Sequence, residues 1–367
     1  MTSFLELLGK EDNLGEPTPA LNNKPVMLGV VISFLVLALL CAILRIWCRF
    51  YVVRAAGWDD FFVTLVMISI SVGSIGTCVA TDYGLGEHLI LMSTQRLSEY
   101  LRVFYICNTT LPMSTTFIKI AILLQYLRTF EKGTKSRTVT IVVLIITAMW
   151  GFAYMFLACI PAIPVKAYWD WNVDARGRWG FGSHTAEELI RTYESHAASN
   201  MVLDFIIFAI PLPLYFSSEA NKKSRKSVLG LFLLGSVVLM LSAWRLANLI
   251  DSRAGTYPTL DVTWYAPTPM ALAILEIDIA AICASLPVFW PVLQSGMGSI
   301  FVTHEVAITT ETLECPRCSE DLEMAGGSLS CSQPSTTLET DALVEPQIFG
   351  AYMMGKTTSA AAATKAV

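Results

Sequence analysis

The chain has 367 residues, a net charge of -5 and a pI near 5.5, so neither its size nor its charge points to nucleic acid as a partner. It is 54% hydrophobic and only 15% charged, with a mean hydropathy of +0.55, against the roughly 25% charged residues of soluble domains. That composition excludes an ordinary soluble fold and predicts an all-α, multi-pass membrane protein.

Residues 1–25 are polar and acidic (Glu6, Glu11, Asp12, Glu16), without the basic start and early apolar core of a cleavable signal peptide. Apolar stretches long enough for a bilayer core follow at Val26–Trp47, Phe61–Ala80, Val103–Leu127, Thr138–Ile160, Ala197–Phe216, Ser227–Ile250 and Thr268–Leu293. The expectation is a seven-helix transmembrane bundle over residues 26–293, with a disordered cytoplasmic tail over 294–367. Basic residues set its orientation. Arg49 and Arg54, then Arg128, Lys132, Lys135 and Arg137, then Lys222, Lys223, Arg225 and Lys226 fall in the first, third and fifth connections. The amino terminus is therefore expected outside and the carboxyl terminus inside. Trp169, Trp171 and Trp179 in the fourth connection suit the outer headgroup level or a lid over a ligand.

Ionisable residues inside the spans are costly and mark functional or structural sites. Asp204 in the fifth span, Arg245 in the sixth and Glu276 in the seventh all lie about 7–12 Å below the outer surface, counting 1.5 Å per residue from the span ends. Asn200 shares a helix face with Asp204. These residues are candidates for a buried ion pair or for the wall of a pocket open to the outside. Asp278 lies about 200° around the helix from Glu276 and needs cover on the opposite side. With three carboxylates against one arginine, either one acid is protonated or the site prefers a cation. In the third span, Asn108, Pro112, Thr115, Lys119 and Tyr126 form one stripe. Asp59 and Asp60, in the GWDD stretch, are the candidate partners of Lys119, as an inner switch or a fixed pair, against a lysine that only snorkels to the inner rim.

GWDD at Gly57–Asp60, YGLGEH at Tyr83–His88, FIKIAILLQYLRTF at Phe117–Phe130, CIPAIPVKAYW at Cys159–Trp169, NMVLDFIIFAIPLP at Asn200–Pro213, LGSVVLMLSAWRL at Leu234–Leu246 and LEIDIAAICASLPVFWPVL at Leu275–Leu293 occur in order along the chain. Together they resemble the fungal rhodopsin-like domain, the family of seven-span, pathogenicity-related, receptor-like integral membrane proteins of filamentous fungi. The resemblance implies a receptor-like role at the plasma membrane with an unknown small extracellular ligand; a heterotrimeric G protein as partner is an inference from the seven-span topology alone. Some members are encoded in secondary-metabolite clusters, which implies an alternative, a membrane-embedded isomerase or cyclase using Glu276 or Asp278 as the acid. No retinal is expected, because the seventh span contains no lysine for a Schiff base. No metal is expected either: the four histidines are dispersed, and Cys315-Pro316-Arg317-Cys318 with Cys331 and His304 lacks regular ligand spacing.

Overall fold

The computed structural model describes Gly9, residues 11–212 and residues 222–298, with side chains described up to 212 and over 232–289. The expected tail over 294–367, apart from 294–298, lies outside the described residues, as do Cys315, Cys318, Cys331 and His304. Long helices dominate: α1 (Lys24–Trp47), α2 (Trp58–Ala80), α3 (Thr94–Thr129), α4 (Lys135–Cys159), α5 (Ala186–Ala209), α6 (Lys222–Asp251) and α7 (Pro267–Gly298). Six of them, all but α5, are long and apolar enough to cross a membrane. The amino-terminal half of α5 carries Glu187, Glu188, Arg191 and Glu194, which dilute its hydropathy.

The boundaries follow local chemistry. Pro25 occupies the first turn of α1, where its missing N–H costs nothing. Gly57 donates its backbone N–H to the Asp60 carboxylate at the start of α2, and the Ser93 and Thr134 hydroxyls accept from the first turns of α3 and α4. Two starts differ from expectation by more than two helical turns. Helix α3 begins at Thr94, not Val103, and α5 at Ala186, not Ala197. Hydropathy locates only the part of a helix that suits lipid, whereas these extensions run on through polar residues, held by the Ser93 cap and by the Glu187–Arg191 pair one turn apart.

Helix α7 is the hub, packing on α1 and α6 and also touching α2 and α3. Its Ala280, Ala281 and Ala284 meet Ala38 and Ala42 of α1, Val63 and Val66 of α2, and Ala121 of α3 in one buried cluster. Small residues of this kind let helix backbones approach closely where lipid supplies no hydrophobic drive. A Cβ on Gly151 of α4 would fall 2.1 Å from Thr116 Cγ2, so α3 and α4 are in similarly tight contact there. The large apolar side chains point the other way: Ile32, Leu40 and Ile43 of α1, Ile68 and Ile75 of α2, and Ile145 and Phe152 of α4 are exposed on the outer face, as a lipid environment requires.

The second, fourth and sixth connections meet at one end, together with the segment before α1. Gly86 N donates to Thr263 O at 2.9 Å, Asn22 Nδ2 to Trp264 O at 2.9 Å, and Ser98 Oγ to Trp169 O at 2.7 Å. Strands β1 (Ala162–Ile163) and β2 (Gly177–Arg178) form a two-residue antiparallel ladder in the fourth connection. Glu188 accepts from Ser183 Oγ and Gly180 N, and these bonds hold its carboxyl below the ordinary carboxylate range. Gly86 adopts φ +92°, and a Cβ there would lie 2.9 Å from Asn22 O. Gly86→Val should therefore cost on the order of 1–3 kcal/mol of local stability. The expected result is faster proteolysis of the segment over 11–23 with the helices still protected; unchanged proteolysis would remove this role for Gly86.

Candidate functional site

The polar residues of the inner helices form two buried clusters. In the first, Glu276 of α7 accepts from Arg245 Nε of α6 at 3.1 Å and from Asn200 Nδ2 of α5 at 2.7 Å. Asn200 also donates to Asp204 at 2.9 Å and to Ser242 at 3.3 Å, and the Lys119 ammonium of α3 donates to the other Asp204 oxygen. Four helices are thus tied by two cations and two carboxylates, with Asn200 bridging the acids. The depth count from the span ends puts Asp204, Arg245 and Glu276 in one layer; the structure bonds Arg245 to Glu276 directly and joins Asp204 to Glu276 through Asn200. Pairing of this kind lowers the desolvation cost that each charge would carry alone.

Lys119 does not meet Asp59 or Asp60, and the expected inner pair is corrected. Asp59 and Asp60 instead face Arg45 and Arg49, one turn apart on α1 and its π-helical continuation over Cys48–Val52. Arg45 reaches Asp59 at 2.6 Å, Asp60 at 3.0 Å, Gln125 of α3 at 2.9 Å and the Ala284 carbonyl of α7 at 2.5 Å. Arg49 lies 3.2 Å from Asp59, and Arg128 lies 3.5 Å from it. The α3 residue level with the aspartates is Gln125, six positions and about 9 Å along the helix from Lys119. Lys119 is therefore too far away. Arg45 went unremarked in the sequence; the signal available was an arginine inside an apolar span, one turn before Arg49 and just ahead of an acidic pair.

Asp278 does not join either cluster. It is fully buried, and neither carboxylate oxygen has a hydrogen-bond partner. Two further groups were also missed. At the loop end, His88 Nδ1 lies 2.7 Å from Asp261 Oδ2, which also accepts from Asn13 Nδ2 at 2.8 Å, while the His88 ring stacks on Trp264 at 3.8 Å. Because His88 and Asp261 are 173 positions apart, no local pattern links them. His196 of α5 is enclosed by the rings of Trp150, Tyr154 and Phe181.

A cavity of about 660 Å³ runs from the loop end into the bundle. Leu89, Ile90, Trp171 and His184 border it in the loops. Deeper, its wall includes Asn108 and Pro112 of α3, His196 of α5, Arg245 of α6 and Ala273 and Ile277 of α7. The proline carries no N–H at that turn, and Asn108 accepts from Tyr193 across the cavity wall at 3.1 Å. Burial, then the neighbouring Arg178, hold the His184 imidazole below its ordinary pKa. A retinal Schiff base would need a lysine amine open to this space; no described wall residue is lysine, and Lys119 is engaged by Asp204. The described residues therefore do not fit retinal.

Three observations place the chain among known proteins. The satratoxin biosynthesis SC1 cluster protein 4 of Stachybotrys chartarum is 24% identical over 195 residues, covering 53% of this chain and 66% of that protein. The fugralins biosynthesis cluster protein 2 of Gibberella zeae is 23% identical over 249 residues, covering 65% of this chain and 58% of that protein. The chain thus spans about three fifths to two thirds of the length of these relatives. No solved structure matches. The fungal rhodopsin domain model matches residues 44–295, which takes in α2 to α6, all but the last residues of α7 and both polar clusters, and the chain belongs to that family.

Proposed function

We propose that the protein is a seven-pass plasma-membrane protein with its amino terminus outside, and that it acts as a receptor-like sensor of a small lipophilic molecule. The observation that carries this reading is the cavity, entered from the loop end and bordered deep in the bundle by Arg245, a member of the ion network joining α3, α5, α6 and α7. In this reading α5 is the remaining span, and the basic first, third and fifth connections face the cytosol, where a heterotrimeric G protein would dock. A guest biases such a bundle only through different affinities for two arrangements of its helices. The network supplies a discrete element that can hold two arrangements, because its charges must either stay paired or find new partners.

The names of the two relatives favour a second reading, a place in a secondary-metabolite pathway. The acid-catalyst form of that reading has little geometric support. Glu276 is engaged by Arg245 and Asn200, and Asp278 does not border the cavity.

Ala273, small and on the cavity wall, separates the two readings. Ala273→Trp should fill the space and abolish the cellular response to culture extract, while the metabolite profile of the strain stays as in the parent. Accumulation of a biosynthetic precursor in the Ala273→Trp strain would instead favour the pathway enzyme and overturn the receptor-like role.

A further inference from the structure

We propose that the cavity selects an uncharged lipophilic molecule bearing a hydrogen-bond-accepting oxygen, and rejects amines and carboxylates of the same shape. The inference rests on the reading of the cavity as a ligand site and adds the chemical class of its guest.

Charge decides against the two ionic classes. No described wall residue is Asp or Glu, whereas Arg245 borders the cavity within the bundle and Arg178 at the rim. An ammonium guest would meet guanidinium groups and no carboxylate. The sequence alone, counting three carboxylates against one arginine, left a preference for cations open; Lys119 changes the count. Lys119 and Asp204 form one pair and Arg245 and Glu276 the other, so the four formal charges cancel. A carboxylate pushed against Arg245 would bring an extra negative charge into a site already balanced, with Glu276 directly behind it. Arg178 offers little compensation. It is only half-buried, its Nη2 is engaged by Ala167 O at 2.7 Å, and water screens it.

Hydrogen bonding decides in favour of an acceptor. Arg245 is 2% exposed, and its Nη2 has no hydrogen-bond partner. Buried donors left without an acceptor are rare, and each asks for an explanation. Ser74 Oγ and His196 Nε2, on residues that also border the cavity, are likewise buried without partners. A carbonyl, ester or ether oxygen of a guest would satisfy the guanidinium without adding charge, on a turn of the Arg245 side chain that uncovers Nη2 toward the cavity. The remainder of the wall is mainly aliphatic and aromatic, and 660 Å³ falls within the range of about 300–1,000 Å³ that holds drug-sized molecules.

The test uses the full chain in lipid nanodiscs with Nile red as a fluorescent probe, displaced by a matched series: androstan-3-one, androstane, androstane-3-carboxylate and 3-aminoandrostane. Signals are taken relative to Ala273→Trp, which corrects for partition into lipid. Androstan-3-one should displace the dye at about tenfold lower concentration than androstane, and at about 100-fold lower than the carboxylate or the amine. Glu276→Gln leaves Arg245 without its counter-charge and should move the carboxylate-to-ketone ratio at least about tenfold toward the carboxylate. Asp204→Asn, which removes the other acid of the network, should move the ratio the same way and serves if Glu276→Gln does not fold. Equal or tighter binding of the carboxylate or amine to the parent protein would overturn the inference, as would a ratio unmoved in the folded variants. Should the dye and the ketone bind equally to the parent and to Ala273→Trp, the cavity reading beneath it falls instead.

Discussion

Arg45→Ala should destabilise the folded protein by about 3–5 kcal/mol, the cost of breaking a well-formed buried ion pair, measured as thermal unfolding of the purified protein in nanodiscs. The side chain is fully buried and serves four acceptors on α2, α3 and α7 at once. Its removal leaves Gln125 Oε1 and the Ala284 carbonyl without this donor, and reduces the bonds to Asp59 and Asp60. It also opens a void where a long side chain had filled the junction of four helices. Arg128→Ala provides the contrast. Arg128 is 34% exposed at its side chain and stands 3.5 Å from Asp59, so its loss should cost under about 1 kcal/mol. Equal costs for the two changes would show that burial is not what makes the Arg45 cluster important.

The second large effect concerns the network beside the cavity. Lys119→Met and Asp204→Leu should each cost about 3–5 kcal/mol, because either change strands a charge of opposite sign among apolar helices. The double variant removes both charges and should cost less than the sum by about 2–3 kcal/mol. Asn200 sharpens the expectation. It donates to both Asp204 and Glu276, so without Lys119 the two acids would share one amide and one arginine. Purely additive costs in unfolding measurements would contradict the pairing of Lys119 with Asp204. Coupling between Lys119 and Asp59 in the same kind of cycle would restore the pairing expected from the sequence.

How far the sequence could be read depends on which coordinate each residue pattern reports. Hydropathy reports depth along the bilayer normal. Counting 1.5 Å per residue from the span ends is therefore enough to place Asp204, Arg245 and Glu276 in a common layer. Periodicity reports which face a residue shares with its neighbours, and the stripe of Asn108, Pro112, Thr115 and Lys119 is indeed buried. Neither reports which helix stands opposite. Lys119 was accordingly matched to the acids expected at the cytoplasmic rim, Asp59 and Asp60, when the fold sets Asp204 against it and gives the aspartates to Arg45 and Arg49. The polar starts of α3 and α5 escaped for the opposite reason, since a helix protruding into water has no apolar signature. The His88–Asp261–Trp264 group depends on loops that meet only after the helices are assembled, and nothing within either stretch announces it.

The cavity's opening at the loop end, on the outer side, is the claim on which the proposed function depends. Met270 borders the cavity in the first turn of α7. Met270→Cys, in a background with the native cysteines replaced, can be challenged in intact cells with a membrane-impermeant thiosulfonate. The expected result is rapid modification from outside, lost when Ala273→Trp is added. Modification only after the cells are permeabilised, or modification indifferent to the tryptophan plug, would contradict the account.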